Sequence, residues 1–163
     1  MKKFKSLICI ALTVMLMLSF TACMKKDKSD DNLISDHNGS ASVKYKDGEY
    51  KASESKFDDQ GYKPTVKVVV KDGKLYSVDC DDEYQDDGTK KAHSESGKYN
   101  MKAGGSQYQW HEEIAFFEKY VVENGLEKVN LNGEGKTDTI SGCTIAVDHY
   151  VELIKKALEK AKE

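Results

Sequence analysis

The chain has 163 residues, with 28 acidic and 25 basic side chains and a net charge of −3. That acidic balance excludes nucleic acid as a partner, because binding to a phosphate backbone is dominated by cationic neutralisation. All 25 basic residues are lysine. Without a guanidinium fork, any bound phosphate must be held by backbone N–H groups, hydroxyls or lysine point charges.

The N-terminus reads as an export signal. Lys2, Lys3 and Lys5 precede an almost unbroken apolar run from Leu7 to Phe20. This run is shorter than the roughly 20 residues of a membrane span and suits a signal-peptide core. It ends in Ser19-Phe20-Thr21-Ala22-Cys23, which resembles the lipobox of bacterial lipoproteins. Phe20 departs from the leucine that lipoboxes prefer. The resemblance implies cleavage before Cys23, lipidation of its thiol, and residence on the outer face of the cytoplasmic membrane. Loss of three lysines with residues 1–22 takes the net charge from −3 to −6. Residues 23–43 then comprise the lipidated cysteine and a polar, unpatterned tether. Residues 44–163 are long enough for one domain with a modest core.

Asp47-Gly48 reads as a turn, followed by a short strand at Glu49 to Ser53. Thr65 to Lys71 alternates in β-branched residues and predicts a second strand. Asp72-Gly73 then predicts a two-residue hairpin, since both residues tolerate the positive φ of a type I′ turn. Leu75 to Cys80 is the return strand. Residues 81–106 read as a long irregular loop of the kind that is often functional. Trp110, Ile114, Phe117 and Val121 recur at helical spacing, with Phe116 and Tyr120 widening the stripe, and Asn124-Gly125 marks the stop. Residues 126–137 form a connector with room for a strand at Lys128 to Leu131. A second amphipathic helix closes the chain, carrying Val147, Tyr150, Val151, Ile154 and Leu158 on one face. Lysines gather toward its C-terminus, where they suit the helix dipole. The fold class is therefore α+β: a small antiparallel or mixed sheet packed with two principal helices.

Chemistry concentrates in few places. Cys9 leaves with the signal peptide and Cys23 carries lipid, so Cys80 and Cys143 remain, as one bridge or as two free thiols. His37, His93, His111 and His149 show no metal-ligand spacing with them, and no metal site is expected. The informative segment is Asp138-Thr139-Ile140-Ser141-Gly142-Cys143-Thr144, with Ile145 next. It is a hydroxyl-rich, glycine-containing turn before the last helix. Such a turn presents unpaired backbone N–H groups to an anion, most commonly a phosphate, or simply caps the helix through Ser141 or Thr144.

The domain from Asp47 to about Leu158 resembles the FMN-binding domain family. That family occurs in peripheral subunits of Rnf and sodium-pumping quinone reductase complexes and in flavin-bearing lipoproteins. The resemblance is carried by Asp47-Gly48-Glu49-Tyr50, by Gly61-Tyr62-Lys63-Pro64, by the valine-rich strand with Lys71-Asp72-Gly73-Lys74, and by the closing segment. The closing pattern is Asp, two variable residues, Ser or Thr, Gly, a small residue, then Thr or Ser. Cys143 stands where the small residue is usually alanine, and Ala146 where a second hydroxyl is frequent. The resemblance implies FMN as cofactor, held by Asp138, Thr139, Ser141, Gly142, Cys143, Thr144 and Ile145, with Thr144 the candidate for a covalent phosphoester. Tyr62, Tyr84 and Trp110 are candidate ring contacts, each also explicable as core.

A membrane-anchored electron carrier follows from the resemblance, with a flavin transferase and a membrane oxidoreductase as partners. No acid/base pair or nucleophile constellation in the sequence calls for substrate turnover. The alternative is a cofactor-free surface lipoprotein or binding module that keeps the fold without flavin.

Overall fold

A computed structural model describes residues 44–162. The expected signal peptide, the expected lipidation site Cys23 and the expected tether lie outside the described residues. Three antiparallel strands form one sheet in the order β1-β2-β3: β1 Gly48–Ser53, β2 Tyr62–Lys71 and β3 Lys74–Tyr84. Three helices accompany it: α1 Lys90–Glu95, α2 Trp110–Asn124 and α3 Asp148–Glu159. The arrangement is α+β, and its sheet is purely antiparallel.

The alternation of β2 decides which face is buried. Val66, Val68 and Val70 point inward, opposite Cys80, Val78 and Leu75 of β3, and Ala52 of β1 faces Val66. On that face, α3 packs against β1 and β2 while α2 packs against β3. Ile114, Phe117 and Val121 of α2 and Tyr150, Val151, Leu153, Ile154, Ala157 and Leu158 of α3 complete the core. Both helices therefore bury the stripes that their spacing predicts, and burial of a large aliphatic side chain contributes about 1.5–3 kcal/mol.

The β2–β3 hairpin turns on Asp72 and Gly73, with φ of +53° and +72°. The turn is braced from outside. The Asp72 and Gly73 N–H groups donate to the Asp47 carboxylate at 3.0 and 2.9 Å. These bonds hold the Asp47 carboxyl below the usual carboxylate range. Pro64 sits inside β2, beyond the last residue paired with β1, and its carbonyl accepts the Glu54 N–H at 2.9 Å. Its missing donor falls at the end of the β1 ladder, past the last paired residue, where its loss is tolerated.

Three expectations need correction. Residues 81–106 are not one irregular loop: β3 runs on to Tyr84, and α1 follows. α1 has only six residues and no hydrophobic stripe of its own. It forms because Thr89 caps it, accepting the Ala92 N–H, and because His93 and Ser94 are buried against the rest of the domain. Lys128 to Leu131 is not a strand; a 3-10 turn at Leu126–Lys128 precedes an extended stretch with no strand partner. Finally, α3 begins at Asp148, so neither Ser141 nor Thr144 is its N-cap. The N-cap is Val147, and the Val147 and Asp148 N–H groups both donate to the Gly135 carbonyl, at 2.8 and 3.2 Å. Among the described residues, no helix is long and apolar enough to cross a membrane.

Candidate functional site

The segment from Asp138 to Ile145 is a tight loop leading toward α3. Its ends are anchored in the core through Ile140, Cys143 and Val147, while Asp138, Thr139, Ser141 and Thr144 are exposed. Gly142 has φ +83°, and a Cβ there would stand 2.9 Å from the Phe116 ring and 3.2 Å from the Tyr108 ring. Those two rings meet edge to face, with centroids 5.1 Å apart. Glycine is therefore needed at 142 both for the left-handed backbone and for the close approach. The Cys143 N–H donates to the Ile140 carbonyl at 3.2 Å and closes the turn.

The loop's backbone donors converge on an anion, and the chain supplies it. The Thr144 N–H donates to Glu113 Oε2 at 2.6 Å and the Ile145 N–H donates to the same oxygen at 3.1 Å. The Thr144 hydroxyl lies 3.0 Å from Glu113 Oε1 and 2.9 Å from Oε2. The Ser106 hydroxyl donates to Oε1 at 3.1 Å. Glu113 is 0% exposed, and among the described residues no lysine or histidine forms an ion pair with it. A buried carboxylate in that position must be held by hydrogen bonds, and four donor groups hold this one. The adjacent Cys143 thiol is pushed up to about 11, first by burial and then by the Glu113 charge.

A second polar cluster lies around the start of α1 and α2. Lys90 Nζ is 2.9 Å from the Asp82 carboxylate, which also accepts the Tyr150 hydroxyl. The Lys90 ammonium stands over the rings of Tyr62, Tyr99 and Trp110, at 4.9, 5.2 and 5.1 Å. The Tyr62 hydroxyl lies 3.0 Å from His93 Nδ1, and the Tyr62 and Tyr84 ring centroids are 5.0 Å apart. The sequence-predicted ring residues Tyr62, Tyr84 and Trp110 thus belong to this cluster. Tyr62 and Trp110 are buried in it. Tyr108 and Phe116 are the rings against Gly142 of the 138–145 loop.

The profile of the FMN-binding domain matches residues 61–159 of the chain. The chain belongs to the FMN-binding domain family. Membership indicates FMN as the cofactor. Two solved structures share the fold. One is a solution NMR structure of a Clostridium thermocellum protein, 39% identical, with a TM-score of 0.55, covering 72% of this chain and 93% of that one. The other is a crystal structure of a Clostridium perfringens protein, 27% identical, with a TM-score of 0.57, covering 72% and 88%. No curated protein matches the chain.

The FMN-binding domain must accommodate a phosphate, and the residues present fit one in a restricted way. The inward donors of Thr144 and Ile145 already serve Glu113, so a free phosphate placed there would displace a buried carboxylate. Thr144 itself is an exposed residue, and its hydroxyl is held on one side by Glu113. A cleft lined by Lys51, Thr65, Lys67, Asp79, Lys156 and Lys160 among others does not include this loop. Glu113 is the residue that sequence reading missed. Its signal was available: it stands three residues after Trp110 and four before Phe117, on the apolar stripe of α2, where a carboxylate is out of place.

Proposed function

We propose that this protein is a lipid-anchored, extracytoplasmic flavoprotein that carries FMN as a phosphoester on Thr144 and passes electrons between membrane and external partners. The observation that carries the reading is Thr144: an exposed residue, its backbone N–H and hydroxyl both bonded to Glu113, at the last position of the family's closing segment. A covalent link is favoured over a loose one because the backbone donors that would hold a free phosphate are already committed to Glu113. Esterification at the Thr144 hydroxyl leaves both backbone bonds in place. No lysine need contact the phosphate, which suits a chain without arginine.

FMN, once attached, accepts and releases one or two electrons. The protein's own share is attachment, exposure and approach. Gly142, packed under Phe116 and Tyr108, fixes the loop that presents Thr144. The lipid on Cys23 and the polar residues 24–43 keep the domain at the membrane surface and raise its effective concentration toward a membrane oxidoreductase. Attachment requires a flavin transferase as a further partner.

The test is to express the full chain with a flavin transferase and to measure the intact mass of the product. The expected result is a gain equal to FMN less one water, absent in Thr144→Ala. An unmodified, colourless protein that also fails to bind free FMN would instead support the cofactor-free module.

A further inference from the structure

A threonine hydroxyl is a weak nucleophile at neutral pH and needs a base within hydrogen-bond reach, about 2.6–3.2 Å. The geometry around Thr144 supplies one from within the acceptor chain. We propose that Glu113 is the base that takes the Thr144 hydroxyl proton during flavin attachment. The inference rests on the phosphoester reading above and adds to it a residue that acts in the attachment step.

Four observations carry it. Both Glu113 oxygens lie within 3.0 Å of Thr144 Oγ1, and they are the acceptors the structure provides for that hydroxyl proton among the described residues. The carboxylate is held still: Oε2 by the Thr144 and Ile145 N–H groups, Oε1 by Ser106. No ion-pair partner competes for its charge among the described residues. Lastly, Glu113 is fully buried while Thr144 is an exposed residue, so the base lies on the interior side of the nucleophile and a donor approaches from solvent.

Forming a phosphoester from a hydroxyl requires an FMN donor activated as a pyrophosphate, a flavin dinucleotide, delivered by the transferase. Thr144 Oγ1 forms a bond to the phosphorus of the FMN half. The P–O bond to the other phosphate breaks, and its electron pair leaves with the nucleoside monophosphate. The proton from Thr144 goes to Glu113, and no oxidation state changes. The proton's destination also accounts for the fit. The ester phosphate keeps one negative charge, and a protonated Glu113 beside it removes the repulsion that two neighbouring anions would suffer.

A bracing role for Glu113 is the competing reading, and pH separates the two. The full chain, prepared without a transferase, is mixed with purified flavin transferase and flavin dinucleotide, and adduct formation is followed by intact mass across a pH series. Wild type acquires the flavin mass and Thr144→Ala does not; failure of wild type sinks the phosphoester reading itself. With wild type labelled, Glu113→Gln is expected to slow adduct formation on the order of 10²–10⁴-fold, with a native circular dichroism spectrum and loss of the acid limb of the rate profile. Glu113→Asp keeps that limb at an intermediate rate. A wild-type rate in Glu113→Gln overturns the assignment. So does a slowed rate with the acid limb unchanged, which makes Glu113 a brace only. Should Glu113→Gln fail to fold, a wild-type rate in Glu113→Asp, whose carboxylate is withdrawn by one methylene, overturns it equally.

Discussion

Asp82 and Glu113 are both buried carboxylates, and their neighbours differ in kind. Asp82, 2% exposed on the inner face of β3, pairs with Lys90 and accepts the Tyr150 hydroxyl. The Lys90 ammonium is in turn covered by three aromatic rings. Burial and the Asp82 charge push the Tyr150 phenol up, so it remains a donor. Every charge there has a counter-charge, and the cluster joins β3, α1 and α3. Glu113 is as deeply buried but is met only by neutral donors, three of the four from the loop that presents Thr144. The first arrangement holds elements together. The second leaves a negative charge next to one exposed hydroxyl, which is of little use to a core and of clear use to a nucleophile.

Removing each charge should break the comparison differently. Asp82→Asn leaves the Lys90 ammonium buried without its partner, and loss of one member of a buried pair costs about 3–5 kcal/mol. Glu113→Gln leaves no unpaired charge, only mismatched hydrogen bonds, at about 1–3 kcal/mol. Urea unfolding of the two variants should therefore rank Asp82→Asn as the less stable, and the reverse order would contradict the structural role given to Asp82. Gly142→Ala should cost about 1–2 kcal/mol from its left-handed backbone alone. Its Cβ would also press on Phe116, so it should lower flavin loading on Thr144 more than its loss of stability implies.

The smallest effect is alkaline. Burial, and after it the Glu113 charge, push the folded Cys143 thiol up to about 11, above its ordinary value. A folded pKa raised above the unfolded one gives stability that is full below the unfolded value and lost as pH rises through the folded value. Wild type should accordingly lose melting temperature between about pH 9 and 11 more steeply than Cys143→Ala. Equal slopes would contradict a thiol raised by burial and the Glu113 charge.

Much of the fold was legible because its signals are local. The valine alternation of β2, the Asp72-Gly73 turn and the stripes of α2 and α3 each report a short-range pattern, and each element formed. α1 was not legible, since six polar residues carry no period and their helix depends on Thr89 and on burial of His93 and Ser94. Asp82 could have been read: continuing the inward alternation of Val78 and Cys80 by two residues points it at the core. The closing segment was legible as an anion-seeking loop, but its anion was not. Glu113 lies thirty-one positions before Thr144, and only the packing of α2 against the loop joins them. The start of α3 was misplaced for the same reason, because Gly135, distant from any helical pattern, takes its first N–H groups.

The central claim is that Thr144 is the flavin's point of attachment. It is tested most directly by cleaving the flavin-loaded chain after its lysines and sequencing the fluorescent peptide by tandem mass spectrometry. The account predicts the flavin mass on the peptide running from Thr137 to Lys155, with fragment ions assigning it to Thr144. Flavin on Thr139, on Ser141 or on any peptide outside this loop would contradict it.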